Sequence, residues 1–381
     1  MLCEITMFFL KIKERILFLF IVLHGLLFRG PCILIRRVIV PCIAISMIVA
    51  CGRPRGHEDR DKSFRIEHIN GMTPVKNQGT GSGCWAYAML AAIETTHISM
   101  GDSVNLSPSW AIRVKMEDLY MRNVLSQGGD KGTTRATAMT LLNIIQRHGI
   151  VPYDSYPDRN GMGVSTSLLL NKTRLLAEKA VNARKEYKLF MPAFERMMDE
   201  SIGYTPKNVY MLGAQYTPLE FAHSVCRPDE YIAMASCTHH PFGEWFILES
   251  ADNWERSKFY NVPIDHLMRS VEKAVRSGMG VCWEGDISEP EFCFSKGIAT
   301  LDMPQGKNVQ QLRQTMIESY TTTDDHCMAI VGIARDKSGK KYFIMKNSWG
   351  TGNLYKGLMY MSEDYLKLKT IAVFLPRLKA E

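Results

Sequence analysis

Three places far apart in the chain carry the residue types of a thiol nucleophile and its helpers. They are Pro74-Val75-Lys76-Asn77-Gln78-Gly79-Thr80-Gly81-Ser82-Gly83-Cys84-Trp85-Ala86-Tyr87, Asp325-His326-Cys327-Met328 and Lys346-Asn347-Ser348-Trp349-Gly350. A cysteine attacks as its thiolate and needs a depressed pKa. Cys84 stands where Gly-Ser-Gly gives way to an apolar run, so the pattern predicts it at a helix N-terminus, whose unpaired N–H groups and partial positive charge favour an anion. His326 is the candidate imidazolium partner and general acid. Asn347 is the candidate to hold the far ring nitrogen and fix the tautomer. Trp349 would cover that bond, and Gln78 with the backbone N–H of Cys84 would donate to a developing oxyanion. Alone, Cys84 reads as a buried structural cysteine and His326 as an ordinary core or surface histidine. Asp325 reads as structural or as a weak electrostatic helper.

Taken together and in this order, the three motifs resemble the papain-type cysteine peptidases. Cys84 and His326 are 242 residues apart, and Cys84 and Asn347 are 263 apart, against about 130–150 residues in the papain and cathepsin pattern. The extra chain resembles the bleomycin hydrolase and aminopeptidase C branch at Gly128 to Thr134, His148-Gly149-Ile150-Val151-Pro152, Thr217 to Phe221, Asn261 to Asp265 and Gly350 to Ser362. The resemblance covers about residues 71–375. It implies an α+β fold of two lobes, one helical and one an antiparallel barrel, with the cleft between them and a helical insertion that can mediate homo-oligomer assembly. It also implies peptide substrates, and Gly128 and Gly129 as cleft residues that bind the substrate backbone, since glycine admits close approach of another chain. The sequence departs from that branch in two ways. Its members are usually cytosolic, whereas this chain opens on an export-like segment. Their C-terminal tail restricts cleavage to N-terminal residues, and here only a few residues follow Pro376, which leaves exopeptidase against endopeptidase action open. The short stretch from Cys51 to Gly71 leaves no room for a long inhibitory propeptide.

The bulk properties are those of a globular enzyme. Of 381 residues, 46% are hydrophobic and 22% charged, which excludes a disordered or fibrous chain. The net charge is +7, but beyond residue 50 the balance is 40 basic to 37 acidic residues, so nucleic acid is not indicated. Ile16 to Phe28 and Val38 to Ala50 are apolar runs behind basic residues, each too short for a bilayer core that needs about 20 residues. Ile48-Val49-Ala50-Cys51-Gly52 resembles the lipobox of bacterial lipoproteins, with Cys51 as the lipidation site. The expectation is an exported, membrane-anchored lipoprotein of the bacterial envelope. The stretch upstream of Leu34 reads either as a second anchor or as an over-translated start.

The predicted domains are 1–50 as signal, 51–70 as a lipid-anchored linker, 71–160 as the helical lobe with the nucleophile, 161–225 as the insertion and 226–381 as the barrel lobe. Helices are expected over Cys84–His97, from Pro108 to about Arg122, over Thr134–Arg147, over Ser165–Asp199 with a break at Pro192, from Thr217-Pro218 onward and over Pro263–Arg276. Strands are expected over 231–236, 280–283, 328–334, 341–345, 358–361 and 371–375. The six cysteines beyond Cys51 lack the regular spacing of a disulfide framework, and no cofactor is called for. A metal site from Cys226, Cys237, His239 and His240 lacks any CxxC pair. His97, His223, His239, His240 and His266 read as surface or loop residues.

These residues fit a thiol peptidase best, an aminopeptidase or other peptide-trimming exopeptidase. The alternatives are an envelope endopeptidase, a transpeptidase using the same residues, or a non-catalytic peptide-binding lipoprotein on the same scaffold.

Overall fold

The computed structural model describes residues 64–377 apart from Leu212. The export segment and Cys51 lie outside the described residues. Strand β1 (Arg65–Ile69) comes first. The helical half follows, with α1 (Cys84–Ser99), α2 (Pro108–Leu125), α3 (Ala138–His148), α4 (Thr166–Ala183), α5 (Met191–Ile202), the hairpin β2 (Val209–Met211) and β3 (Ala214–Tyr216), and α6 (Pro218–Val225). The second half holds β4 (Tyr231–Ala235), β5 (Trp245–Ile247), β6 (Lys258–Asn261), α7 (Ile264–Arg276), β7 (Val281–Gly285), β8 (Phe292–Cys293) and β9 (Ile298–Ala299). It continues through α8 (Val309–Glu318), β10 (His326–Arg335), β11 (Lys341–Lys346), β12 (Leu358–Ser362), α9 (Glu363–Lys369) and β13 (Thr370–Pro376).

The local signals explain most of these elements. Helix α1 is buried without interruption from Trp85 to His97, as its apolar composition on all faces requires. Ser107 accepts the Trp110 amide at the start of α2, with Pro108 in the first turn, where its missing N–H is harmless. Thr217 and Glu220 form a reciprocal capping box at α6. Pro192 starts α5 rather than breaking a longer helix, and Arg184 closes α4 in the left-handed region at φ +50°.

One hydrogen-bonded strand path runs β5-β6-β4-β13-β7-β10-β11-β12-β9-β8, with β1 paired to β10. All pairs are antiparallel except β12 with β9 and β4 with β6. Successive side chains on the central strands point to opposite faces. Trp283, Met328 and Ile330 therefore pack on one side with Leu267 and Val271 of α7. Cys282 and Cys327 point to the other side, into the core shared with α1, α2 and α3. The strands are covered on both faces, and the nucleophile helix lies against the strand that begins at His326.

Several expectations change. Residues 65–69, placed in the linker by composition, form a strand on β10, because alternating Ile66 and His68 find open ladder groups there. Helix α3 begins at Ala138, four residues later than its composition suggests, since Thr137 is extended. Helix α8 carries no apolar stripe, its buried residues being Arg313 and Gln314, so hydrophobic periodicity could not reveal it. His97 is buried, with its ring bonded to Asp102 and to the Val225 carbonyl.

Candidate active site

Cys84 is the first residue of α1, preceded by Gly83. Because glycine has no capping side chain, the first N–H groups of the helix stay available to the cleft. The turn is tight: a Cβ on Gly83 would stand 3.2 Å from Ile112 Cδ1. The half-buried Cys84 thiol opens on a cavity of about 190 Å³ whose lining includes Gln78, Trp85, Arg135, His326, Cys327 and Trp349.

His326 is donated by the first residue of β10 and is almost fully buried. Its Nε2 lies 2.8 Å from Asn347 Oδ1. The Ser348 amide donates to the same Oδ1 at 2.7 Å, which fixes that atom as the acceptor, so Nε2 carries the proton and Nδ1 is left for the thiol. Asn347 Nδ2 donates to Met359 Sδ at 3.6 Å. The Trp349 ring lies over the imidazole, with centroids 4.7 Å apart and planes at 32°. Phe294 and Phe292 meet Trp349 edge-on at 5.2 and 6.0 Å. The His–Asn bond is therefore roofed by aromatic rings that exclude water.

The Cys84 thiol is held well below the usual thiol range. A hydrogen bond with the Cys327 thiol contributes most, followed by the hydrogen bond and charge of His326 and the Cys327 backbone N–H, while burial opposes them. Burial and the facing Cys84 push the Cys327 thiol the other way.

Gln78 is fastened at both ends of its amide. Its Nε2 donates to the Gly81 carbonyl at 2.7 Å and its Oε1 accepts from Ser348 Oγ at 2.5 Å. The Gln78 amide donates to the Ser348 carbonyl at 2.7 Å, and Asn77 forms a bridge with Trp349. One Gln78 N–H remains for the cavity beside the Cys84 N–H, the arrangement an oxyanion needs. Gly79 lies at φ +66°, and a Cβ there would collide with the Gly163 carbonyl.

A buried charge cluster locks these parts together. Glu94 of α1 bonds Lys76 Nζ at 2.7 Å, the Leu106 amide at 2.7 Å and the Thr73 hydroxyl. Lys346 Nζ at the end of β11 donates to Thr73 at 2.7 Å. The oxyanion segment, the nucleophile helix and the strand leading to Asn347 thus share one carboxylate. Burial brings Lys346 down to about 8 despite Glu94.

Five of the expected residues converge: Cys84, His326, Asn347, Gln78 and Trp349. Gly128 and Gly129 do not. They form the turn after α2, Gly128 at φ +84° with its amide on the Asn123 carbonyl at 2.8 Å, and neither lines the cavity. A glycine pair meets the needs of a helix C-terminus as well as those of a cleft, so sequence could not separate the two uses. The wall opposite His326 is instead built by Arg135 and Ala136, in the extended stretch before α3.

Sequence reading also missed the far end of the cavity. Arg135 Nε contacts both Asp252 oxygens at 2.9 and 3.0 Å, and its guanidinium donates to the Asp324 carbonyl. Ser250 donates to Asp324 Oδ2 at 2.9 Å. Burial, then the nearby Asp252, pushes the Asp324 carboxyl up to about 7. Beyond this bridge lies a second cavity of about 500 Å³ that shares Arg135, Asp252, Asp324 and Asp325 with the first. Glu284, fully buried on β7, accepts the Ala138 amide at the start of α3 and is held far above the carboxylate range by burial and by Asp324. His239 and His240 both meet Glu249, at 3.2 and 2.7 Å, near the second cavity. The Gln314 amide donates to His239 Nδ1, which places the other ring proton on Nε2 and turns that atom from ligand to donor. Among the described residues no helix is long and apolar enough to cross a membrane.

Residues 201–375 match the model of the Peptidase C1-like family, a span that holds His326 and Asn347 but not Cys84. Aminopeptidase W of Lactobacillus delbrueckii subsp. lactis is 25% identical over 86% of this chain and 86% of its own length. Aminopeptidase G of the same organism is 22% identical over 66% of this chain, and the match spans 64% of that protein. Mitochondrial cysteine proteinase 1 of Saccharomyces cerevisiae is 22% identical over 83% of this chain and 77% of that one. The solved structure of PepW from Lactobacillus rhamnosis HN001 superposes with a TM-score of 0.64 at 16% identity, covering 83% of this chain and 82% of that one.

Proposed function

We propose, for a chain that belongs to the papain-like cysteine peptidases, that it hydrolyses peptides from their amino ends through Cys84, His326 and Asn347. The observation that carries the reading is the buried His326–Asn347 bond beside a thiol held low in pKa. The Cys84 thiolate attacks the scissile carbonyl. The oxyanion forms against the Cys84 N–H and the free Gln78 N–H. His326 passes its Nδ1 proton to the departing amine, and water attacks the acyl-enzyme with the same nitrogen as base. Asn347 holds the ring in the required tautomer throughout.

The finer reading, an aminopeptidase, is supported by the far wall. The Arg135–Asp252 ion pair stands in the cavity wall, and with its charge balanced there, the Asp324 and Asp325 carboxyls beside it make that end acidic. A peptide entering amino end first would meet an acid there, and a longer chain would meet a closed wall. The names of the Lactobacillus relatives agree with this reading. The test is hydrolysis of matched peptides with free and N-acetylated amino ends by the full-length chain, with Cys84→Ala as control. The expected outcome is preference for the free amine and no turnover by Cys84→Ala. Equal rates on the blocked peptide would leave only endopeptidase action, and full activity in Cys84→Ala would end the thiol reading.

The envelope location belongs to the same proposal. It is supported by the apolar run Val38–Ala50 ahead of Cys51-Gly52. Labelling with a radioactive fatty acid should mark the chain and fail to mark Cys51→Ala, and equal labelling of both would remove the lipid site.

A further inference from the structure

In peptide hydrolysis as derived above Cys327 helps to hold the Cys84 thiol low but makes no bond to substrate, although it is the residue nearest in chemistry to the nucleophile. It follows His326 directly and opens β10, where pairing sets it opposite Glu284. Strand alternation turns its side chain toward the helical lobe, into the core against which Cys84 packs. Both residues line the same cavity, and each thiol acts on the proton affinity of the other. Cys327 is buried, whereas Cys84 faces the cavity. A small oxidant in the cavity therefore meets the more exposed Cys84 first. Cys282 is the other thiol on this face, but its register partner is Ala329, two residues further along β10. Cys226, Cys237 and Cys293 do not line the cavity.

We propose that Cys84 and Cys327 form a redox modification site for small hydroperoxides, in which Cys327 resolves the oxidised nucleophile as a reversible disulfide. The proposal rests on Cys84 being the reactive thiolate of the proposed function. In the first step the Cys84 thiolate attacks one oxygen of hydrogen peroxide. The O–O bond breaks, Cys84 becomes a sulfenic acid, and the departing hydroxide takes a proton and leaves as water. In the second step Cys327 sulfur attacks the Cys84 sulfur. The S–O bond breaks, water leaves with the Cys327 proton, and an S–S bond joins the two residues. Two thiols of an added dithiol reverse the change and are oxidised to its disulfide.

Three physical facts favour this route over irreversible oxidation. Thiolates are oxidised ahead of thiols, and a sulfenic acid is lost to sulfinic acid unless a thiol captures it. A disulfide needs sulfurs ~2.05 Å apart, and the two residues share the wall of one cavity of only about 190 Å³. Capture inside one cavity runs at an effective concentration that a second peroxide in solution does not match. The disulfide removes the nucleophile, so hydrolysis stops while the site is protected, and it resumes on reduction.

The test treats reduced full-length protein with graded hydrogen peroxide, alkylates the remaining thiols with iodoacetamide and maps peptides by mass. The expected product is a Cys84–Cys327 cross-linked peptide about 2 Da lighter than its two reduced halves. Peptidase activity should fall in step with it, and dithiothreitol should restore most of that activity. In Cys327→Ala, and equally in Cys327→Ser, the same dose should leave Cys84 as a sulfinate, about 32 Da heavier. Dithiothreitol should then restore less than about a tenth of that variant's own starting activity. Cys282→Ala should keep the recovery. A sulfinate on Cys84 of the wild type with no cross-link, a cross-link to Cys282, or equal recovery in the Cys327 variants would overturn the assignment. Alkylation of the untreated protein separates the two levels of the argument. If Cys84 is the fastest thiol and the cross-link is absent, only the redox assignment falls; if Cys84 is no faster than the other thiols, the proposed function falls with it.

Discussion

The two ends of the active cavity are built on opposite principles. At the His326 end, hydrogen bonds from the imidazole Nε2 and from the Ser348 amide meet on Asn347 Oδ1, beneath Trp349, Phe292 and Phe294. At the Arg135 end, the guanidinium holds the Asp252 carboxylate and the Asp324 backbone carbonyl, and a second cavity opens behind them. The first end must keep one tautomer and one ring orientation through the reaction, which a dry and apolar cover secures. On the proposed function, the second recognises charge that arrives from solvent, and its Asp252 and Arg135 stand in the cavity wall for that. On that proposal chemistry is kept at the apolar-roofed end, and selectivity falls to the charged one.

Breaking the dry end should have the largest effect. Asn347→Ala frees the ring and exposes it, and kcat should fall by about 10²–10³, the scale of lost general acid–base catalysis. KM should change by less than about threefold, because Asn347 does not face the substrate. Steady-state kinetics on one free-amine peptide checks this, and a loss confined to KM would refute the assignment of roles.

Opening the charged end should change selectivity more than chemistry. Arg135→Ala removes the bar across the cavity, and N-acetylated peptides should gain about tenfold in kcat/KM relative to free ones, about 1.4 kcal/mol. An unchanged ratio would show that the bar does not select substrates.

The effect of least consequence for the reaction is one of pH. Asp324 binds its proton more tightly when folded, with a pKa of about 7 against about 3.9 in an unfolded chain. The folded state therefore holds more protons than the unfolded one between about pH 4 and 7. Stability is highest below that window on this account, and it declines as pH rises through it. Asp324→Asn should remove the decline, with a gain of about 1–3 kcal/mol over wild type at pH 8 after discounting for partial exposure and the Asp252 coupling. Urea titrations at pH 4.5 and pH 8 measure the difference, and a pH-independent gap between the two proteins would show that Asp324 does not titrate in this way.

The same contrast separates what could be read in advance from what could not. Cys84, His326, Asn347, Gln78 and Trp349 sit in short motifs whose residue types already name a chemistry, and their elements announce themselves by apolar runs, capping residues and alternation. Arg135 and Asp252 are 117 residues apart and meet through no motif. Glu94 looks like a charge in an otherwise apolar helix until Lys76, Thr73 and Lys346 gather around it. Helix α8 buries polar residues, with Arg313 donating to the carbonyls of Ser236, Lys367 and Thr370, so no pattern of apolar residues marks it.

Sequence alone determined the candidate reacting groups and most of the kinds of element that carry them, because reactivity belongs to residue type and secondary structure follows local periodicity and caps. Only tertiary structure decided which wall faces the nucleophile. It set Arg135 and Ala136 there instead of Gly128 and Gly129, brought Asp252 and the Asp324 backbone to one guanidinium, and placed Cys327 on the same cavity as Cys84. Those outcomes depend on distances across the fold and on burial, which raise or lower a proton affinity, and neither is a property of any short stretch of chain.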